Sequence, residues 1–227
     1  MRRAFKFVFR ALVILVVGAI AFVAWYVFAN RAPAKPKLSV APKTATGGPS
    51  TPDGLWRVAP SGQHYVGYRI KELFGDAVLK HEVVARTNAA TGRLRIAGNK
   101  VTTAVVNADV TKLTSDREAR DSYIRDNALE SAKFPLARFT LTKPITLAAP
   151  VTKGAKFHTQ ASGTMLIHGV THPITVTIDA RWDGPTIDAV GTGPIVLADY
   201  GIEAPQTVIA DVDTKGSFEF DLQFVPG

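Results

Sequence analysis

The sequence predicts an all-β domain with one short inserted helix, preceded by an N-terminal transmembrane helix. Three observations predict it. From Leu55 onward, apolar and polar residues alternate with period two in about eight segments. Glycine-containing turn signals separate those segments, with no alternating helices between them. Ahead of them, "ALVILVVGAIAFVAWYVFA", Ala11 to Ala29, runs for nineteen residues without a charge. Sequential strands of this kind form an antiparallel meander, closed as a barrel or packed as a sandwich.

Residues 1–10 read as a cytoplasmic basic tail. Arg2, Arg3, Lys6 and Arg10 precede the apolar run and favour a cytoplasmic N-terminus. At ~1.5 Å per residue, residues 11–29 span roughly 28 Å, close to the ~30 Å hydrocarbon core. Trp25, Tyr26 and Phe28 gather at the far end, where interfacial aromatics belong. A cleaved signal peptide is the competing reading, with "APA" at Ala32 to Ala34 as its cleavage site, but its apolar core is usually shorter, ~7–15 residues. The segment is taken as a signal anchor, which places the remainder outside the cytoplasm. Residues 30–53 hold five prolines, Pro33, Pro36, Pro42, Pro49 and Pro52, and little to bury, so an extended, mobile linker is expected.

Residues 54–227 form the predicted domain. "HYVGYRI" places Val66, Tyr68 and Ile70 on one face; "VTTAVVNADV" is a weaker strand. "RFTLTKPITL" presents Phe139 and Leu141 together. "PITVTIDARW" sets Ile174, Val176, Ile178 and Ala180 against Thr175, Thr177, Asp179 and Arg181. "AVGTGPIVL" is weak, and "SFEFDLQF" is the clearest alternation, with Phe218, Phe220, Leu222 and Phe224 on one face. Turns are expected at Thr91-Gly92, Gly98-Asn99, Lys153-Gly154, His168-Gly169, Asp183-Gly184 and Lys215-Gly216.

The helix is "TSDREARDSYIRD", Thr114 to Asp126, with seven charges in thirteen residues. Ser115 and Glu118 have capping-box spacing. Arg117 with Asp121, and Asp121 with Arg125, have i,i+4 spacing. Ala119, Tyr123, Ile124 and Ala128 give a narrow apolar stripe, and Pro135 ends the element.

Charge excludes one class of function. Eight of the 27 basic residues lie in residues 1–50, which have no acidic residue; the remaining 19 balance the 19 acidic residues of 51–227. The domain has no basic excess for a phosphate backbone, so nucleic acid is not an expected partner. The absence of cysteine removes disulfides and thiolate chemistry. No phosphate-binding loop, dinucleotide fingerprint or serine-nucleophile elbow occurs. Asp116, Asp121 and Asp126 each have a nearby Arg that would keep them ionised, which suits poorly a catalytic acid. His168 and His172 supply two imidazoles where a closed zinc site needs four ligands. No catalytic residue, metal ligand or cofactor is assigned, and a non-enzymatic protein is expected.

Four stretches together resemble the YceI-like family: "GLWRVAPSGQHYVGYRIKE" (Gly54 to Glu72), "RDSYIRDNALESAKFPLARFTL" (Arg120 to Leu141), "GTMLIHGVTHPITVTIDA" (Gly163 to Ala180) and "GSFEFDLQF" (Gly216 to Phe224). The resemblance covers about Gly54 to Val225. It implies an eight-stranded antiparallel lipocalin-like barrel around an elongated apolar cavity, and an exported protein that binds a polyisoprenoid or other amphiphilic lipid. The apparent anchor departs from the cleaved signal peptide of many members. The residues expected to face the ligand are Tyr68, Ile70, Phe139, Leu141, Leu166, Val176, Ile178, Ile195, Phe218, Phe220 and Leu222. Apolar alternation alone would serve equally for a solid core. The alternative function is therefore a filled-barrel interaction module displayed at the cell surface, and pairing as a homodimer stays open.

Overall fold

The computed structural model describes residues 13–25, 31–39, 47–62, 64–74, 79–147, 150–204, 206 and 210–227. The chain divides into two compact units, Met1–Pro33 and Ala34–Gly227. In the first, residues 13–25 form helix α1. Thirteen residues rise only ~20 Å. No helix of the described residues is long and apolar enough to cross a membrane. The predicted span continues into residues 11–12 and 26–29, and the basic tail covers 1–10; these lie outside the described residues.

The second unit is built on one antiparallel sheet. Strands β1 (Gly54–Val58), β4 (Ala90–Ala97), β5 (Lys100–Asp109), β6 (Leu136–Leu141), β8 (Lys156–Ile167), β9 (Val170–Trp182), β10 (Ile187–Val196) and β11 (Ala210–Pro226) are neighbours in that order. Pairing of β11 back onto β1 closes an eight-stranded barrel. Closure requires length in β11. Its edge pairs with β1 at Phe224 to Pro226 and with β2 (Tyr65–Phe74) from Ala210 to Asp221. Hairpin β2–β3 (Leu79–Thr87) therefore extends the wall, and the two-residue β7 (Ile145–Thr146) flanks β5.

The free edge of β3 is met by the segment entering the helix. Arg86 N donates to Thr114 O at 2.9 Å, and Thr114 N returns a bond to Arg86 O at 3.0 Å. Helix α2 (Glu118–Tyr123) follows, continued by a π turn over Ile124–Ala128.

Four expected turns fall between strands. Two do not. Thr91-Gly92 lies inside β4, where a Cβ on Gly92 would stand 2.6 Å from Val105 O. Glycine there permits close strand approach. Lys215-Gly216 lies inside β11 beside the irregularity between Val212 and Gly216. A bulge, not a reversal, is what that glycine serves.

The inward alternate residues pack as two main clusters. One gathers Trp56, Trp182, Ile187, Leu222 and Phe224; the other gathers Met165, Val176, Ile195, Tyr200 and Ile202. Both indoles are satisfied: Trp56 Nε1 donates to Pro52 O (2.8 Å) and Trp182 Nε1 to Gly184 O (2.9 Å).

The expected mobile linker is, in part, a strap on the barrel. Leu38 is only 8% exposed. Arg86 Nη2 donates to Ala34 O at 2.9 Å, and Arg181 Nη1 donates to Ser39 O at 2.5 Å. Proline-rich composition lowers intrinsic structure, but one buried leucine and two charge-assisted bonds offset the ordering cost over so short a segment. Residues 30 and 40–46 of the expected linker lie outside the described residues.

Candidate functional site: an apolar cavity in the barrel

The inward stripes do not fill the barrel. They leave a cavity of about 360 Å³ whose wall is overwhelmingly apolar, within the ~300–1,000 Å³ range of small-molecule sites. Ten of the eleven residues expected at the ligand lie on its wall. Strand β2 supplies Tyr68 and Ile70, and β6 supplies Phe139 and Leu141. Strands β9 and β10 supply Val176, Ile178 and Ile195; β11 supplies Phe218, Phe220 and Leu222.

Leu166 is the correction. Met165 is directly opposite Phe139, whereas Leu166 is opposite Arg138 and Thr171. Opposed residues share a face, so Met165 and Ile167 line the cavity and Leu166 points away. The run Met165-Leu166-Ile167 is apolar throughout, and nothing in its composition marks which parity is inward.

The sequence reading also missed wall residues from weaker elements. Val101 and Val106 of β5, Leu94 and Ile96 of β4, and Leu197 and Ile202 beyond β10 all line the cavity. Ile124 and Ala128, half of the predicted helix stripe, do so too, with Leu129. Their spacing was the available signal: it marked a buried helix face without indicating what it covered.

Polar groups gather outside this apolar wall. Burial pushes the Tyr68 phenol well above its usual range; Arg120 opposes that shift, and Asp121 and Glu72 add to it. Tyr68 is therefore a neutral hydroxyl at any physiological pH. Both Arg120 and Asp121 turn toward the barrel. Arg120 pairs with Glu72 of β2 at 3.1 Å and Asp116 at 2.5 Å. Asp121 is 7% exposed and accepts from Ser115 N (2.9 Å) and Ser115 Oγ (2.6 Å).

The predicted capping box is consequently not formed. The helix begins at Glu118 with Arg117 at the cap position and no side-chain cap bond; Ser115, two residues earlier, donates its hydroxyl to Asp121 and accepts from Arg117 N at 3.3 Å. Arg125 likewise turns from Asp121, donating to Leu113 O at 3.0 Å and Ser122 Oγ at 3.3 Å.

His168 sits at a turn in the left-handed region, φ 50°. Its Nε2 is 2.7 Å from Glu130 Oε2, and its Nδ1 is 3.1 Å from Tyr200 O. A carbonyl only accepts, so Nδ1 carries a proton. The ring thus joins the helix end, the β8–β9 turn and the 3-10 turn Leu197–Tyr200. His172 flanks the same 3-10 turn, its ring edge-on to Tyr200 with centroids 6.0 Å apart and its Nδ1 4.0 Å from Asp199 Oδ2 and 3.0 Å from Pro173 O. Among the described residues, no three metal-ligating side chains converge.

The comparisons with known proteins agree with this architecture. A polyisoprenoid-binding domain from Saccharophagus degradans superposes with a TM-score of 0.60 at 19% identity, covering 76% of this chain and 98% of that one. Burkholderia cenocepacia BcnA gives 0.55 at 15% identity, covering 71% and 96%. At these identities the likeness establishes the fold. A UPF0312 protein of Vibrio vulnificus strain YJ016 is 29% identical over 129 residues, 53% of this chain and 65% of its own length. One from Vibrio parahaemolyticus is 33% identical over 114 residues, covering 47% and 55%. The chain therefore spans less than two thirds of these relatives. The YceI-like domain model matches residues 56–224, from Trp56 of the first strand to Phe224 of the last, and the chain belongs to the YceI-like family.

Proposed function

We propose that this protein binds one amphiphilic lipid, a polyisoprenoid, with its tail in the barrel cavity, and holds or carries it on the outer side of the cell membrane. The observation that carries this reading is the cavity itself: about 360 Å³ with almost no polar surface on its wall. Apolar burial contributes ~25 cal/mol per Å², so a long tail supplies affinity without specific polar contacts. The Saccharophagus degradans relative, described as a polyisoprenoid-binding domain, lends support from the same fold.

Binding, not catalysis, fits the wall. The carboxylates of Glu72, Asp116 and Asp121 are committed to Arg120 and Ser115. The interaction-module alternative calls for a solid interior, and the cavity favours the carrier. Membrane tethering belongs to the proposal on the strength of the uncharged run Ala11 to Ala29 behind four basic residues. It would place the N-terminus in the cytoplasm and the barrel outside.

The test is to purify the full-length chain in mild detergent, extract it with organic solvent and identify co-purified lipid by mass spectrometry. A stoichiometric isoprenoid supports the carrier. A chain that yields none, and takes up none when prenyl lipids are added, refutes it.

A further inference from the structure

Three aromatic rings on the cavity wall lie against glycines. Gly193 is directly opposite Phe218, and Gly191 opposite Phe220. Gly163 is diagonal to Phe139, opposite Leu141. A Cβ on Gly193 would collide with Phe218 Cε1 and stand 2.7 Å from its Cζ. On Gly191 it would stand 2.5 Å from Phe220 Cζ, and on Gly163, 2.6 Å from Phe139 Cζ. Real Cβ contacts essentially never come under 3.0 Å, so each ring occupies the space a side chain would take. All three glycines are buried, while all three rings line the cavity. The Phe218 and Phe220 rings run nearly parallel, 12° apart with centroids 6.5 Å apart.

The cavity is also narrow for its length. Its wall includes positions on β11 from Val212 to Phe224. Twelve steps at ~3.4 Å correspond to ~40 Å along the strand. Barrel strands tilt ~35–45° to the axis, so this corresponds to ~30 Å along the barrel, and a volume of about 360 Å³ drawn out over that length is an elongated, narrow bore. Rings displaced from their glycine seats have only this bore to enter.

We propose that Gly163, Gly191 and Gly193 set the calibre of the bore by seating Phe139, Phe220 and Phe218 flat against the wall, and that this calibre selects a slender flexible prenyl chain over a broad rigid lipid such as a sterol. The inference rests on the carrier reading and adds its specificity determinant.

Gly193 gives the cleanest test. An added Cβ at Gly191 or Gly163 would also meet backbone, Thr177 O or Thr140 O, at 2.5 Å, whereas at Gly193 the nearest backbone oxygen, Thr175 O, is 3.3 Å away. Gly193→Ala chiefly moves a ring. The experiment titrates the full-length protein in detergent with geranylgeraniol and with cholesterol, following tryptophan fluorescence. Wild type is expected to favour geranylgeraniol by about tenfold or more, and Gly193→Ala to weaken it about tenfold, the scale of overpacking by one methyl. Adding Phe218→Leu to Gly193→Ala should restore binding to within about threefold. Phe218→Leu alone should narrow the preference over cholesterol, which keeps the test decisive if Gly193→Ala does not fold. A folded Gly193→Ala that binds like wild type overturns the inference. So does a wild type, or a Phe218→Leu variant, that shows no such calibre dependence while still binding geranylgeraniol. Wild type that binds neither lipid overturns the carrier reading itself.

Discussion

Glu219 illustrates how individual side chains on the outer face stabilise the barrel. It lies on the polar stripe of β11 yet is 2% exposed. Oε2 accepts from Arg69 Nε at 3.0 Å, and Oε1 accepts from Arg86 Nε at 2.8 Å and Nη2 at 2.6 Å. Arg69 also reaches Glu82 at 2.6 Å, so two guanidinium and two carboxylate groups balance. Removing the shared acceptor takes one carboxylate from Arg69, itself 5% exposed, which keeps Glu82, and takes the carboxylate of Arg86. With Glu82 still compensating Arg69, Glu219→Ala is expected to cost about 2–3 kcal/mol and to lower Tm by roughly 5–10 °C in a thermal melt. Asp221 behaves oppositely. Burial, then the charge of Asp188, raises its carboxyl above the usual range. A carboxylate raised on folding costs stability above its folded pKa, and that cost disappears below its unfolded pKa of ~3.9. Asp221→Asn should therefore stabilise at pH 7 by under ~1 kcal/mol and converge with wild type near pH 3. Denaturant melts at both values check the sign.

At the scale of the element, α2 is held by side chains and not by its own propensity. Six helical residues followed by a π turn are far too few to persist alone. The Arg120–Glu72 pair ties them to β2, and the Ile124, Ala128 stripe closes part of the cavity. Arg120→Ala should leave Glu72 buried without its cation, costing about 2–3 kcal/mol, somewhat less than a fully buried pair. Hydrogen exchange should show loss of protection in residues 118–128 before the strands; unchanged protection would contradict this. The helix was legible from its charges, but the capping partner was not. Asp121 accepts from Ser115 while its neighbour Arg120 pairs with Glu72 of β2, a long-range contact that local spacing does not report. Strands were legible where alternation is strict, as for Phe218, Phe220 and Leu222 in β11. Arg69 and Glu219 fall on the polar parity of their strands yet are buried, since period two reports which side a residue takes and not what covers that side.

For the whole molecule, the strap over residues 34–39 makes the domain larger than its alternating strands suggest. Composition signalled a free linker, because the contacts that fix it come from Arg86 and Arg181, far along the chain. A chain beginning at residue 41 should be less stable than one beginning at residue 31 by about 2–4 kcal/mol, from Leu38 burial and two hydrogen bonds to charged donors. Equal melting temperatures would mean the strap contributes nothing. The hollow interior was the feature least legible in the sequence. Apolar alternation is identical for a filled barrel and a hollow one, and the difference arises only when the eight strands close and small residues such as Gly191 and Gly193 meet rings across the wall. Native mass spectrometry of the full-length protein, released from detergent in the gas phase, tests the central claim most directly. One added mass per chain is expected, matching a prenyl lipid and displaced by added geranylgeraniol. A chain at its bare sequence mass, before and after incubation with prenyl lipids, would contradict it.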